Sequence, residues 1–186
     1  MTSRMVCVAP CPALQDGFTD DRCEIRRSNM PGAGRGLFAR SSIPAGSLVC
    51  SYSGECMFTV PSGARTSHVV YCPGRFGYID GHSLAACLPN GTLAGRHVGA
   101  ACMANSSKSP NCKRVDLTWN AFQRRTGQGD KLSAAASSLY TVIVLETTHD
   151  ISAGTELTWD YREASSVAVN KGRGWHETRI SDAARL

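Results

Sequence analysis

Two stretches, Asn105-Ser-Ser-Lys-Ser-Pro-Asn-Cys112 and Glu156-Leu-Thr-Trp-Asp-Tyr161, decide how this chain folds. The first reads as a polar turn containing a proline, and the second as a strand end rich in aromatic side chains. Working outward, two glycine-containing segments precede them, Pro31-Gly-Ala-Gly-Arg-Gly-Leu-Phe-Ala39 and Tyr52-Ser53-Gly54. Each segment alone is a common structural feature. The order of the four along one chain is therefore the informative observation.

Several common enzyme classes are excluded because their motifs are missing. The glycine-rich run 32–36 is not followed by Gly-Lys-Ser/Thr, so it is not a P-loop. It also lacks the long helix and the acidic residue about 20 positions on that a dinucleotide-binding unit needs. The sequence contains no G-x-S-x-G elbow and no H-E-x-x-H pair, and its five histidines show no metal-ligand spacing.

Length and composition predict one globular domain. The chain has 186 residues, 42% apolar and 19% charged, and its 20 basic and 15 acidic residues give a net charge of +5. The basic excess forms no dense Lys/Arg run, which is typical of a solvated surface. No apolar run approaches the roughly 20 residues of a membrane helix. Residues 1–14 lack a charged region followed by an apolar stretch, so we expect no secretory signal.

The nine cysteines all lie at or before Cys112. No pair has the CxxC spacing of zinc knuckles or redox motifs. An odd number without a predicted signal peptide argues against a secreted disulfide scaffold. Most are flanked by apolar residues, as in Leu48-Val49-Cys50 and Val70-Tyr71-Cys72. We interpret them as small buried hydrophobes of a reduced, intracellular protein.

Short runs of β-branched and aromatic residues, separated by Gly, Pro and Ser, predict a mainly β protein. The strongest run, Tyr140-Thr-Val-Ile-Val-Leu145, suits a strand buried on both faces. The candidate strands are Cys23–Ser28, Gly36–Ala39, Ser47–Tyr52, His68–Cys72, Phe76–Asp80, Lys113–Trp119 and Leu139–Glu146.

Helical patterns are scarce. Residues 97–104 favour a short helix, and the polar stretch at about 120–137 is interpreted as an inserted loop. Two similar segments, Ile43-Pro44-Ala45-Gly46 and Ile151-Ser152-Ala153-Gly154, predict the same glycine-containing turn before a strand.

Taken in order, the four segments resemble those of the SET-domain protein lysine methyltransferases. In that family a G-x-G-leading segment, a Y-x-G strand end, an N-H-S-x-x-P-N loop and an E-L-x-Y-D-Y segment recur in this order. The resemblance covers about residues 23–161. It implies a mainly β fold, the β-clip, with short strands in small sheets and few short helices. It also implies that residues 156–161 thread through 105–111 in a pseudoknot.

The resemblance further implies S-adenosylmethionine as cofactor. The segment Gly34-Arg35-Gly36 would bring backbone amides close to the cofactor, where a Cβ would block the approach. Asn105, Ser106 and Tyr161 would hold its amino-acid and adenine parts. We also expect residues 162–186 to fold back as a lid, with Trp175 stacking on the adenine.

The implied reaction transfers a methyl group from a sulfonium to a lysine amine. Tyr52, Trp159 and Tyr161 are the candidates for an aromatic lysine channel, and Tyr52 and Tyr161 are the candidate catalytic residues. We assign Tyr161 as the essential hydroxyl, which polarises and orients the reacting groups. A phenol with a pKa near 10 is a poor base at neutral pH.

Three departures from the family pattern refine this interpretation. Ser106 stands where the family usually has His, so ring packing against the cofactor is lost. Lys108 stands where many members have a zinc-ligating Cys, and no Cys follows Cys112. We therefore expect a SET domain that binds no metal. Trp159 replaces Tyr or Phe, and this bulkier wall predicts restricted methylation multiplicity.

We expect an N-terminal arm over residues 1–22, a SET domain over 23–161 and a C-terminal tail over 162–186. The expected partner is a lysine-bearing protein, a histone tail above all, with nucleosome contact and no membrane. The acidic residues that would attract a basic tail are Asp16, Asp20, Asp21, Glu24 and Glu163. Two alternatives stay open: a catalytically inactive SET fold that binds a peptide, and a methyltransferase of a non-histone protein. A nuclear location is expected, or that of a viral or bacterial effector in a host nucleus.

Overall fold

The computed structural model describes residues 17–57, 68–72, 77–93, 98–128, 133, 137 and 140–164. These residues form short strands and two α-helices. The strands are β1 Cys23–Arg27, β2 Arg35–Ala39, β3 Leu48–Ser51, β4 Glu55–Met57, β5 Val69–Cys72, β6 Gly77–Asp80, β7 Gly91–Thr92, β8 Asn105–Ser106, β9 Cys112–Thr118, β10 Thr141–Thr147 and β11 Glu156–Trp159. The helices are α1 His82–Cys87 and α2 Trp119–Thr126, and 3₁₀ turns occupy Ala101–Met103 and Tyr161–Ala164.

The strands assemble into three small sheets. A five-stranded sheet has the order β7-β1-β2-β11-β8, and two three-stranded sheets have the orders β3-β10-β9 and β4-β6-β5. The seven strands predicted from β-branched and aromatic runs are all present, within two residues at either end. Strand β10 is the centre of its sheet, and its residues 142–145 are at most 2% exposed, as its continuous apolar run predicts.

Helix α2 occupies the first part of the segment predicted to be a polar loop, so that prediction is wrong for residues 120–126. Trp119 and Phe122 lie three residues apart on one helix face, and both are buried in a second core with Leu48 and Val144. Two buried aromatics outweigh the polar composition of the other face. The helix ends at Gly127, whose φ of +71° makes the left-handed C-cap.

Helix α1 was not predicted, and the helix expected over residues 97–104 is represented by the 3₁₀ turn Ala101–Met103. The two α-helices are short, with six residues in α1 and eight in α2. No helix in the described part of the chain is long and apolar enough to cross a bilayer.

Residues 17–22 pack against the body of the protein, although the sequence predicts a loose arm up to residue 22. Thr19 is 6% exposed and forms a bridge with Cys50. Its hydroxyl donates to the Val98 carbonyl at 2.7 Å. Phe18 packs edge-on against Phe122, with ring centroids 6.0 Å apart. The rest of the predicted arm lies outside the described residues.

The two similar turns in the sequence pair with each other. The Ile43 and Ile151 backbones exchange both of their hydrogen bonds, at 2.9 and 2.8 Å. Gly46 and Gly154 follow at equivalent positions with φ of +74° and +81°, a conformation that L side chains rarely adopt. The repeated turn chemistry therefore produces a two-fold-like contact that joins the start of β3 to the start of β11.

Residues 105–111 contact β11 through both ends of the segment, so the two parts of the predicted pseudoknot lie side by side. Strand β8 pairs with β11 in parallel, Asn105 opposite Thr158. Further along, the Asn111 side chain takes the place of a neighbouring strand. Its Nδ2 donates to the Glu156 carbonyl, and its Oδ1 accepts from the Thr158 N–H, both at 2.8 Å.

We expect Asn111→Ala to lower the free energy of unfolding by about 2 kcal/mol, because it leaves two main-chain groups of β11 without partners. Chemical denaturation of wild type and variant measures the difference. Ser109→Ala is the matched control, since Ser109 is exposed on the same segment. Equal losses for the two variants would contradict the role given to Asn111.

The described cysteines are all free, and five of them are buried: Cys23, Cys50, Cys72, Cys102 and Cys112. Burial raises the pKa of the Cys102 and Cys112 thiols to about 12 and raises that of Cys50 as well. These thiols therefore stay protonated, and a protonated thiol is a weak nucleophile.

We expect exposed Cys87 to be alkylated in native protein long before any of the five buried cysteines. Peptide mapping by mass spectrometry after brief iodoacetamide treatment measures the order, and the same treatment in denaturant supplies the control in which all react. Early labelling of Cys50 or Cys112 in native protein would show that this core opens.

Candidate active site

Three aromatic rings form a continuous wall where β11 ends. Trp159 lies between the other two rings: its centroid is 6.5 Å from that of Tyr52 and 5.3 Å from that of Tyr161. Tyr52 and Trp159 are 4% and 2% exposed, whereas Tyr161 is half-buried. The structure therefore brings together the three residues predicted to line a channel.

The Tyr161 hydroxyl is held by a main-chain acceptor. It donates to the Ala104 carbonyl at 3.0 Å, and the Tyr161 N–H donates to Ser106 Oγ at 3.3 Å. Because a carbonyl can only accept, the phenolic proton points at Ala104 and the oxygen lone pairs point elsewhere. Burial, followed by the nearby Cys102, raises the pKa of Tyr161 to about 12. The phenol is thus neutral at physiological pH and offers an acceptor.

The Tyr52 hydroxyl is likewise committed, since it donates to the His68 carbonyl at 2.7 Å. Close packing of Cys102 and the Tyr52 ring leaves no space for a side chain at residue 81, which is glycine. A Cβ there would lie 2.6 Å from the Cys102 Cβ and 3.3 Å from the Tyr52 hydroxyl oxygen. Burial raises the pKa of Tyr52 well above its usual value. Tyr52 therefore contributes its ring face to the predicted lysine channel. Its hydroxyl bonds to His68, the residue just before β5, and so fixes the position of the ring.

The indole N–H of Trp159 is buried and has no hydrogen-bond partner among the described residues. Leaving such a donor unpaired costs about 1–3 kcal/mol. An acceptor brought to this position by a ligand or a water molecule would recover that cost. The wall therefore carries one unused polar group beside its apolar ring faces.

The glycine-rich segment lies at the other side of β11. Gly34 has a φ of +72°, and a Cβ added to it would meet no described atom within 4 Å, so its backbone faces open space. A Cβ on Gly36 would overlap the Glu156 carboxylate and lie 3.1 Å from Asn105 Nδ2. The Arg35 guanidinium donates to the Ala85 and Leu88 carbonyls at the end of α1. The Arg35 side chain is thus anchored to the end of α1, while its backbone lies between Gly34 and Gly36.

Asn105 joins the glycine-rich segment to β11. Its Nδ2 donates to the Arg35 carbonyl at 3.0 Å and to Glu156 Oε1 at 2.8 Å. Glu156 Oε1 also accepts from the Ser28 hydroxyl at 2.7 Å, and its Oε2 accepts from the Asn29 N–H at 3.1 Å. One carboxylate therefore ties the turn after β1 and the start of β8 to β11.

Arg114 fixes the turn that carries Tyr161. Its side chain is 5% exposed, forms an ion pair with Asp116 at 2.7 Å, and donates to the Tyr71 carbonyl at 2.6 Å. It also donates to the Glu163 carbonyl at 3.2 Å, while its own N–H donates to the Glu163 carboxylate at 2.9 Å. The chain directly after Tyr161 is thereby held against β9 and β5.

The remaining predicted residues are placed as follows. Ser106 lies beside Tyr161, as its hydrogen bond shows. Lys108 is exposed. No group of three or more His, Cys, Asp or Glu side chains suited to a metal ion occurs within the described residues. Trp175 and the predicted lid lie outside the described residues.

Four residues that position the site were not identified from sequence: Gly81, Asn111, Arg114 and Glu156. Glu156 and Asn111 do stand inside the two motif segments, so the motifs themselves were the available signal. Gly81 and Arg114 are outside every motif. Their roles come from contacts with Tyr52 and with Glu163 that no local pattern predicts.

Comparison with known proteins gives one family. A family model described as the SET domain matches residues 34–162, more than two thirds of the chain. Among solved structures the chain is similar to KRYPTONITE in complex with mCHH DNA, H3(1–15) peptide and SAH, at 22% identity and a TM-score of 0.49. That match covers 77% of this chain and 24% of the length of KRYPTONITE. Comparison with curated proteins gives no match. The family match begins within the first motif segment, at Gly34, and includes the other three segments completely, and the chain belongs to the SET-domain family.

Proposed function

We propose that this protein is an S-adenosylmethionine-dependent protein lysine N-methyltransferase and that its substrate is a histone tail. The observation that carries the proposal is the placement of Tyr161. Its hydroxyl proton is held by the Ala104 carbonyl, its lone pairs point away from that carbonyl, and Trp159 and Tyr52 continue the aromatic wall beside it. An acceptor oxygen beside aromatic ring faces suits a narrow, positively charged group such as a lysine side chain or a sulfonium methyl group.

The residues present fit the cofactor. Gly34 has no side chain and open space beside its backbone. Asn105 keeps its Oδ1 acceptor, because both of its described hydrogen bonds are made by Nδ2. Gly34-Arg35-Gly36 and Asn105 would hold the amino-acid part of the cofactor, with Ser106 contributing main-chain atoms. When bound, S-adenosylmethionine supplies an electrophilic methyl group on its sulfonium sulfur.

The protein must deliver a neutral lysine to that methyl group. A lysine with a pKa near 10.4 is neutral in only about one molecule in 2,500 at pH 7. An apolar aromatic channel disfavours the ammonium form and can lower the pKa by up to about 3–5 units. Trp159 and the ring of Tyr52, both almost fully buried, supply that environment.

Tyr161 acts by orientation and electrostatics. Its hydroxyl oxygen is an acceptor, so it favours positive charge on the methyl donor and orients an amine N–H. Since its pKa is about 12, it does not remove the proton of the amine at neutral pH. Holding donor and acceptor in line accounts for much of the rate, about 7–11 kcal/mol in well-oriented cases.

An extended peptide has a place to bind beside this wall. Strand β4 begins three residues after Tyr52, and β5 begins just after His68, whose carbonyl accepts from Tyr52. Both are edge strands of the β4-β6-β5 sheet, and an edge strand can pair with a peptide main chain. The acidic residues contribute less than their number suggests, because Asp20 pairs with Arg22 and Glu24 pairs with Arg26.

We expect Tyr161→Phe to lower methyl transfer by about 100-fold, because it removes the acceptor that faces the reacting centre. Transfer of a labelled methyl group to histone tail peptides measures it. Tyr140→Phe is the matched control, since Tyr140 packs against the second core. If Tyr161→Phe retains wild-type activity, our assignment of the essential hydroxyl is wrong.

The same assay separates the alternatives. Transfer to a non-histone protein but to no histone would change the substrate and keep the chemistry. Cofactor binding by wild type without transfer to any protein would favour an inactive SET fold that binds a peptide, for which Ser106 in place of His is the supporting observation.

We expect wild type to produce little trimethyl-lysine and Trp159→Phe to produce more. The indole lies against both Tyr52 and Tyr161, and a smaller ring at this position would leave more room for a methylated amine. Mass spectrometry of the peptide product counts the methyl groups. Trp119→Phe, in the second core, is the control for loss of a tryptophan. Efficient trimethylation by wild type would contradict the restriction.

A further inference from the structure

We propose that Glu156 is a positioning residue: it fixes the orientation of the Asn105 carboxamide so that Oδ1 is presented to the α-ammonium group of S-adenosylmethionine. The inference rests on the proposed function, since it takes that cofactor as the ligand. It assigns to Glu156 a role in cofactor recognition that is exerted through Asn105.

The orientation of the Asn105 carboxamide follows from its two partners. The Arg35 carbonyl and Glu156 Oε1 lie 3.0 and 2.8 Å from the same amide nitrogen, and both can only accept. A flipped amide would set Oδ1 against two acceptors. The carboxylate therefore favours one of the two flip orientations of the Asn105 carboxamide. In that orientation Oδ1 points away from the Arg35 carbonyl and from Glu156.

Glu156 can impose this orientation because it is itself fixed. Ser28 Oγ and the Asn29 N–H hold its two oxygens at 2.7 and 3.1 Å. Gly36 provides the space for the carboxylate, since a Cβ there would overlap it. The Glu156 donors are neutral groups, so they do not cancel its formal charge. The carboxylate thus adds negative potential close to Asn105.

Asn105 Oδ1 is left as the end that meets a ligand. No hydrogen bond to this atom occurs within the described residues. At the amino-acid end of S-adenosylmethionine the carboxylate has no donor, whereas the α-ammonium has three and is charged. A hydrogen bond from a charged donor is about twice as strong as one between neutral groups. The ammonium is therefore the group that this acceptor and the nearby carboxylate favour.

Glu156→Gln changes this arrangement with almost no change in volume. The Asn29 N–H requires an acceptor at the Oε2 position, so the glutamine amide nitrogen takes the Oε1 position. It then faces Asn105 Nδ2, donor against donor, and the Asn105 amide no longer has one preferred orientation.

The experiment compares two ligands by calorimetry: S-adenosylhomocysteine and its analogue in which hydrogen replaces the α-ammonium group. For wild type we expect the analogue to bind about 10- to 100-fold more weakly, the value of a hydrogen bond to a charged group. For Glu156→Gln we expect this ratio to fall below about threefold, because S-adenosylhomocysteine loses affinity and the analogue does not. A ratio that stays at the wild-type value would overturn the proposal.

Two further variants make the test specific. Glu24→Gln removes a carboxylate of strand β1 that pairs with Arg26 and takes no part in holding Asn105, so the ratio should remain as in wild type. Asn105→Ala removes the acceptor, so it should reduce the ratio as Glu156→Gln does, and the double variant should reduce it no further. Asn105→Ala also decides the matter if Glu156→Gln does not fold, since an unchanged ratio there contradicts the proposal. Failure of wild type to bind S-adenosylhomocysteine at all would instead refute the proposed function.

Discussion

The hydrogen bonds between residues 105–111 and β11 are the constraint on which the candidate site depends. Strand β11 has β2 on one side and the two-residue β8 on the other, and the Asn111 side chain supplies the hydrogen bonds that a longer strand would make. A strand held on both sides has a fixed register. Trp159 and Tyr161, at its end, therefore stand in fixed positions beside Tyr52.

Near the end of β11, polar side chains of the site donate their hydrogen bonds to the protein itself. The Tyr161 hydroxyl, the Tyr52 hydroxyl and the Asn105 amide nitrogen all donate to acceptors of the protein. Their donors are thereby occupied, and the oxygens of Tyr161 and Asn105 are left for a ligand, together with the unpaired indole N–H of Trp159. A site that presents acceptors and aromatic faces suits positive charge, which is what a sulfonium cofactor and a lysine amine share.

Much of the fold could be predicted from sequence, because β-branched and aromatic runs mark strands wherever the core is. The prediction was wrong at helix α2, where a polar segment contains only two large apolar residues, Trp119 and Phe122. These two side chains stabilise the helix only because they pack into a second core with residues of β3 and β10, and β3 is distant from the helix in sequence. The packing of residues 17–22 was not predicted for a similar reason. Thr19 is held by contacts with Cys50 and Val98, which are distant in sequence.

The sequence by itself determined the family, most of the described strands and the identity of the aromatic wall, because those depend on residue types in a fixed order. Only the tertiary structure decided how each side chain is used. It shows that the Arg35 guanidinium donates to carbonyls at the end of α1. It also shows that the Glu156 carboxylate accepts hydrogen bonds from Ser28, Asn29 and Asn105. The physical reason is that a hydrogen bond depends on distance and direction between groups up to 128 positions apart, which the order of residues along the chain does not contain.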